Sequence, residues 1–302
     1  MGLKSRVLLG AALIAAAAAS TFFVYRSRAL SNTELFRRLP SADALVVYVD
    51  FDALRRAGVL QLLDGSPAGQ DPEYRNFVAG TGFNYARDLD LAMLAFAPTG
   101  RYLMLRGRFD WTKLRRYVES QHGTCAGSLC RMTGSTPERR ISFLPLRSNL
   151  MAMAVSTDDF AVERLASAGS GPAPAIPPMP VWMSLPASLL RAGGQFPEGT
   201  RMFAHSLDRA DAVVLGLQPE GARLAAKLNV LCHNEQDAAD VANQLGRTTA
   251  LLRDLIAREH QAPNPADLSG VLTSGSFRAD GRHVYGYWPI ERKFVMNLLG
   301  GA

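Results

Sequence analysis

The sequence predicts an α+β fold: two similar tandem units, each an antiparallel sheet with helices packed on one face, behind an N-terminal transmembrane helix. Three observations carry that expectation. Residues 7–25 form an unbroken run of nineteen residues without a formal charge. A Pro- and Gly-rich stretch, residues 168–180, divides the rest of the chain into similar halves. On either side of it the same order of strand, turn and helix recurs, as duplicated units would give.

The apolar run is about the length, roughly 20 residues, that a helix needs to cross a bilayer. Lys4 and Arg6 precede it, and Arg26 and Arg28 follow it. A cleavable export signal has a shorter apolar region that turns polar before a small-residue cleavage site. Small residues between Ala15 and Ser20 leave cleavage sterically open, but apolar character resumes at Phe22, Phe23, Val24 and Tyr25. The preferred reading is therefore a retained anchor, with Tyr25 and the arginines at the interface. Cleavage and secretion is the alternative. No lipobox-like cysteine lies near the run. Residues 1–31 are assigned to this segment, 32–167 and 181–302 to the two units, and 168–180 to a linker.

Composition supports a folded, exported body. The 302 residues are 48% hydrophobic and 20% charged, enough apolar surface for a substantial core. The net charge of +6 shrinks to +2 once the four basic residues flanking the apolar run are set aside. That balance gives no footprint for a phosphate backbone, and nucleic acid is not an expected partner. The pairs Arg55/Arg56, Arg115/Arg116 and Arg139/Arg140 read as solvated faces.

Within the first unit, ALVVYVDFDALRRAG reads as strand, short turn and helix; in the second, MPVWMSLPASLLRAG does the same and closes on the same Arg-Ala-Gly. Leu91–Phe109 and Ala212–Leu231 each read as two strands joined at Pro-x-Gly. RRISFLPLRSNLMAMAVSTDDFAVERLA and SGSFRADGRHVYGYWPIERKFVMNLL each read as two strands and a helix. Asp71 and Pro72 form an N-cap and first-turn pair, opening a helix through PEYRNFVAG. The longest helix starts near Asn234. Ala238, Val241, Ala242, Leu245, Leu252, Leu255 and Ile256 mark one apolar face, expected to pack along its own sheet, and Pro263 and Pro265 end it.

Cys125 and Cys130, with four residues between them, lie on a Gly- and Ser-containing turn, a spacing that permits a small disulfide loop in an oxidising compartment. Two alternatives stay open. A metal site has only His122 as a further nearby ligand, short of a closed tetrahedral set, and two free thiols are the other. Cys232, in the strand pattern KLNVLCH, is read as core.

LVVYVDFDAL resembles the Asp-x-Asp phosphotransfer signature of the haloacid dehalogenase-like hydrolases, in which the first carboxylate attacks phosphorus and Mg²⁺ sits between the two. Leu54 replaces the expected Thr or Val, no later Gly-Asp acidic pair follows, and the second unit has Leu185 and Ala187 in place of Asp50 and Asp52. The preferred reading is that Asp50 ends a strand and Asp52 caps a helix starting at Ala53. Asp88 and Asp90 are two apart before a strand, but lack the company of oxygens that Ca²⁺ needs. GTGFNY, with Tyr85 where a third glycine belongs, is a turn and no dinucleotide fingerprint. The five histidines (122, 205, 233, 260 and 283) include no i, i+4 pair, and neither Gly-x-Ser-x-Gly nor Gly-x-x-x-x-Gly-Lys occurs. Trp111, Trp182 and Trp288 read as core or interface packing.

Taken together, EYRNFVAGTGFNYARDLDLAMLAF, GRFDWTKLRRYVE, CAGSLCR, ISFLPL and MAMAVSTDDFAVERL resemble uncharacterised exported bacterial proteins with duplicated α+β halves behind a membrane segment. The resemblance implies an envelope location and a tandem fold, with no activity, cofactor, metal or catalytic residue to carry over. The expected function is a non-enzymatic binding or assembly module, held to the membrane by residues 7–25, whose partner is another envelope component. The alternative is an extracytoplasmic hydrolase or small-ligand binder with its site between the halves, for which Asp50, Asp88 and His205 are the candidate polar groups.

Overall fold

The structure, a computed structural model, describes residues 30–60, 72–167, 169, 176–191, 205–221, 223–259 and 262–300. The apolar run at 7–25, Asp71, His260 and most of the 168–180 linker lie outside the described residues. Among the described residues no helix is long and apolar enough to cross a membrane.

The chain opens with helix α1 (Asn32–Arg38), held by a capping box in which Ser31 Oγ accepts from the Glu34 amide and the Glu34 carboxylate accepts from the Ser31 amide. Strand β1 (Leu45–Asp50) runs straight into α2 (Phe51–Arg56). Next come α3 (Pro72–Thr81), the short α4 (Tyr85–Asp88) and the hairpin β2 (Leu89–Ala97) and β3 (Gly100–Gly107). Helix α5 (Trp111–Ser120) leads to β4 (Thr124–Ala126), β5 (Leu129–Thr133), β6 (Arg140–Arg147) and β7 (Leu150–Ser156), then a 3₁₀ turn at Ala161–Leu165. The second half holds β8 (Val181–Pro186), α6 (Ala187–Arg191), the hairpin β9 (Ala210–Glu220) and β10 (Arg223–Cys232), and the long α7 (Glu235–Arg258). It closes with α8 (Leu268–Thr273), β11 (Ser276–Asp280), β12 (His283–Ile290) and α9 (Arg292–Gly300).

All twelve strands join one antiparallel sheet in the order β11-β12-β10-β9-β8-β1-β2-β3-β7-β6-β5-β4. The mixed α+β class is as expected, but the expectation of a separate sheet for each half is corrected. β1 pairs antiparallel with β8, Val46 opposite Ser184 through Val49 opposite Val181. Each of these apolar strands would otherwise be an exposed edge, with unpaired N–H and C=O groups inviting aggregation, and their mutual pairing removes both edges.

The register assigns side chains to two faces. On one, Val46, Tyr48, Met93, Tyr102, Met104, Ala152 and Ala154 lie beneath Leu35 and Phe36 of α1, Leu39 just past its end, and Val162 and Leu165 of the 3₁₀ turn. Trp182 of β8 completes this cluster, stacked on Tyr48 with ring centroids 5.3 Å apart. On the opposite face, α7 covers Leu228, Val230, Val284 and Trp288 in the second half, while α5 covers Phe143 and Met151 in the first. Helices therefore flank both faces of the first half, where one covered face was expected. The reason is in the strands: LDLAMLAFA and LMAMAVS are apolar nearly throughout, so both of their faces need cover.

Two local expectations also change. Asp50, not Asp52, is the N-cap of α2: its Oδ1 accepts from the Ala53 amide at 2.7 Å, while Asp52 pairs with Arg55 and Arg56. Helix α7 is capped by Asn234 and buries Ala238, Val241 and Leu245 as expected, but Leu255 is 45% exposed. Its 24 residues extend about 36 Å at 1.5 Å each. The helix also packs against α8, where Arg253 donates to the Thr273 carbonyl.

Candidate ligand-binding cavity

Helices α3 and α5 do not seal the sheet beneath them. Between them and the strands is a cavity of about 450 Å³. Its floor follows from strand alternation: Leu105 of β3 stands opposite Met151 of β7, and Met153 of β7 opposite Phe143 of β6. Met132 of β5 and Ile141 of β6 continue the same face. The roof is Phe77 of α3 with Leu114, Tyr117 and Val118 of α5.

Local sequence builds this roof. Asp110 caps α5 by accepting from the Lys113 amide at 3.0 Å, and Leu114 and Val118, one turn apart, point to the sheet. Helix α3 closes on α5 because residue 80 is glycine: a Cβ there would come within 2.7 Å of the Tyr117 ring. Gly82, at φ +71°, ends α3 in the left-handed conformation that favours glycine and turns Phe83 back onto the roof. The aromatic end wall is an interlocked set, with Phe77 edge-on to Tyr117 at 5.3 Å and to Phe83 at 5.9 Å, and Phe83 stacked on Phe109 at 5.6 Å. Burial, then the nearby Glu73 charge, pushes the Tyr117 phenol up, so it stays protonated near neutral pH. Glu73, Asn76, Gln121, Thr133 and Ser135 form a polar rim.

The wall beyond Met132 is stapled. Cys125 and Cys130 face each other across the β4–β5 hairpin and are joined by a disulfide, with Cα atoms 4.1 Å apart. The tight turn is made by Gly127, φ +59°, and Ser128, a glycine-first arrangement suited to hairpins. Cys130 is buried beside Phe143 and Met151, so the crosslink belongs to the core under the cavity. Cys232 is free and buried, and burial raises its thiol pKa.

The three polar residues expected at a cleft between the halves have separate surroundings. Asp50 is committed to the α2 cap. Asp88 is 11% exposed, receives hydrogen bonds from Arg87 at 2.7 and 2.9 Å and from the Asn84 amide, and sits 3.4 Å from Arg108. The Arg87 hydrogen bonds, chiefly, hold its carboxyl below the usual carboxylate range. His205 is 78% exposed and paired with Asp208 at 2.7 Å. Among the described residues no hydrogen bond or ion pair links any two of Asp50, Asp88 and His205. A wider concavity of about 1090 Å³ does take residues from both halves, Leu45, Phe96 and Arg101 from the first and Leu185 and Leu189 from the second, but none of the three lines it. It meets the cavity under α3 and α5 at Ser135. Among the described residues no three His, Cys, Asp or Glu side chains gather as a metal ligand set.

The sequence reading missed the cavity. The signal that bears on it is the clustering of soft, large side chains, Met151, Met153 and Met132 against Phe77, Phe83 and Phe109, since methionine and phenylalanine line adaptable apolar sites.

No protein-family model and no curated protein matches the chain. Solved structures do match. Crystal form III of TP0453 aligns with a TM-score of 0.50 at 10% identity, covering 91% of this chain and 99% of that one. Crystal forms I and IV give 0.47 and 0.46, also at 10% identity, covering 91% and 87% of this chain and 99% and 94% of theirs. At such identity the form III match is a likeness of fold alone.

Proposed function

We propose that this chain is a non-enzymatic binding protein of the bacterial envelope, held to the membrane by residues 7–25, and that it carries an apolar small molecule in the cavity under α3 and α5. The observation that carries the reading is the cavity itself: 450 Å³ floored by Leu, Met, Ile and Phe and roofed by Phe77 and Tyr117, with polar groups confined to its rim. That is the make-up of a site that holds a ligand by burial and orients it with a few polar contacts. The Cys125–Cys130 disulfide supports an oxidising compartment. The run β1-β2-β3-β7-β6 has its counterpart in β8-β9-β10-β12-β11 on the other side of the β1–β8 seam, which supports a duplication in which only the first copy acquired β4 and β5.

The test uses the full chain in lipid nanodiscs, titrated with N-phenyl-1-naphthylamine, a neutral dye whose emission rises on burial, against empty nanodiscs. A saturable excess signal is expected, and Met132→Trp, which fills the cavity, removes it while leaving the melting temperature within a few degrees. An excess signal equal in the two proteins, or none in the parent, refutes the proposal.

A further inference from the structure

Beside the rim of the cavity, on the outer concavity, one charged group has incomplete hydrogen bonding. Arg139, on the loop between β5 and β6, lays its stem across Gly134, where an added Cβ would lie 3.0 Å from its Cδ. One terminal nitrogen donates to Ser135 Oγ at 3.1 Å and lies 3.7 Å from the Glu73 carboxylate on the opposite rim, too far for a hydrogen bond. Its Nε is buried and has no hydrogen-bond partner among the described residues. A buried N–H on a charged group without an acceptor is costly, and a guanidinium offers adjacent donors in the fork geometry that carboxylates and phosphates match. Ser135 borders both the cavity under α3 and α5 and the outer concavity that Arg139 lines.

From this geometry we infer that the occupant is an anionic amphiphile, its apolar part among the cavity's Met and Phe side chains and its acidic head on Arg139, where it displaces Glu73 as the ion-pair partner. The inference rests on the cavity reading above and adds the sign and place of the head group. Glu73 and Arg139 then act as a selectivity pair: Arg139 draws the anion, and Glu73 competes with it and repels it at close range.

The experiment is displacement of N-phenyl-1-naphthylamine from the full chain in nanodiscs by decanoate, decanol, decylamine and acetate, each compared across the parent protein, Arg139→Gln and Glu73→Gln. Membrane partitioning of each competitor is common to all three proteins and cancels in the comparison. Arg139→Gln is expected to weaken decanoate about three- to tenfold, the span for a charge-assisted hydrogen bond at a half-exposed site, with decanol unchanged. Glu73→Gln is expected to strengthen decanoate, and acetate, the head without a tail, to leave the dye in place. Decanoate and decanol shifting equally in Arg139→Gln, or decylamine binding tightest and failing in Glu73→Gln, overturns the inference while the cavity stands. Acetate displacing as well as decanoate overturns the amphiphile. Failure of the dye to bind the parent at all removes both readings.

Discussion

Breaking the Cys125–Cys130 bond tests the architecture of the cavity wall. The crosslink closes a loop of only six residues, counting both cysteines, since the two are separated by five positions. Loop-closure entropy for so short a ring gives about 2 kcal/mol of stabilisation at 25 °C. For a chain of this size, that corresponds to a fall in melting temperature of about 4 °C. Removing the bond with Cys125→Ala and Cys130→Ala keeps a small apolar group at buried position 130, so the loss comes from the crosslink and not from a buried polar atom. Calorimetry of the oxidised protein, the reduced protein and the double variant measures it, with hydrogen exchange over residues 124–133 to localise the change. The last two should agree, both should melt about 4 °C below the oxidised form, and exchange should quicken first in the three-residue edge strand β4. A reduced protein that melts within about 1 °C of the oxidised one, or fast alkylation of Cys125 and Cys130 without reductant, refutes the reasoning.

Gly246 lies inside α7, where an added Cβ meets nothing within 4 Å, so Gly246→Ala should stabilise by about 0.5–1 kcal/mol through helix propensity alone, read from a denaturant midpoint at unchanged slope. Asp88→Asn should cost about 1–2 kcal/mol at pH 7, a range kept low because Arg87 and Arg108 are largely exposed. Because folding lowers the Asp88 pKa, its contribution is fully present above the unfolded value of about 3.9 and disappears as pH falls through the lower folded value. The stability gap between parent and variant should therefore close below pH 4 in urea titrations, and a gap constant to pH 2 would contradict the ion-pair account.

What was legible in the sequence was local. The Pro-x-Gly segments at Pro98 and Pro219 each mark a hairpin connection, because turn chemistry acts within four residues. Asn234 marked the start of α7, and the spacing of Cys125 and Cys130 allowed the bond that closes the β4–β5 hairpin. The pairing of β1 with β8 left no local trace, since it joins residues more than 130 positions apart and depends only on two apolar edges finding each other. The cap at Asp50 was misassigned to Asp52 because both satisfy the same cap-then-helix pattern and only backbone angles separate them. The cavity was illegible for a different reason: a void is fixed by how closely two helices approach, and here a single glycine, Gly80, sets that approach.

Trp182 belongs by sequence to the second half and by packing to the first, stacked on Tyr48 and facing Phe36. Neither half is thus a self-sufficient module: severed near the linker, the N-terminal fragment would lose the indole that fills its interior and bare the backbone of Val46–Val49 along a sticky rim. The two halves are spliced like planks sharing one tenon, and neither can swing against the other while the tenon holds.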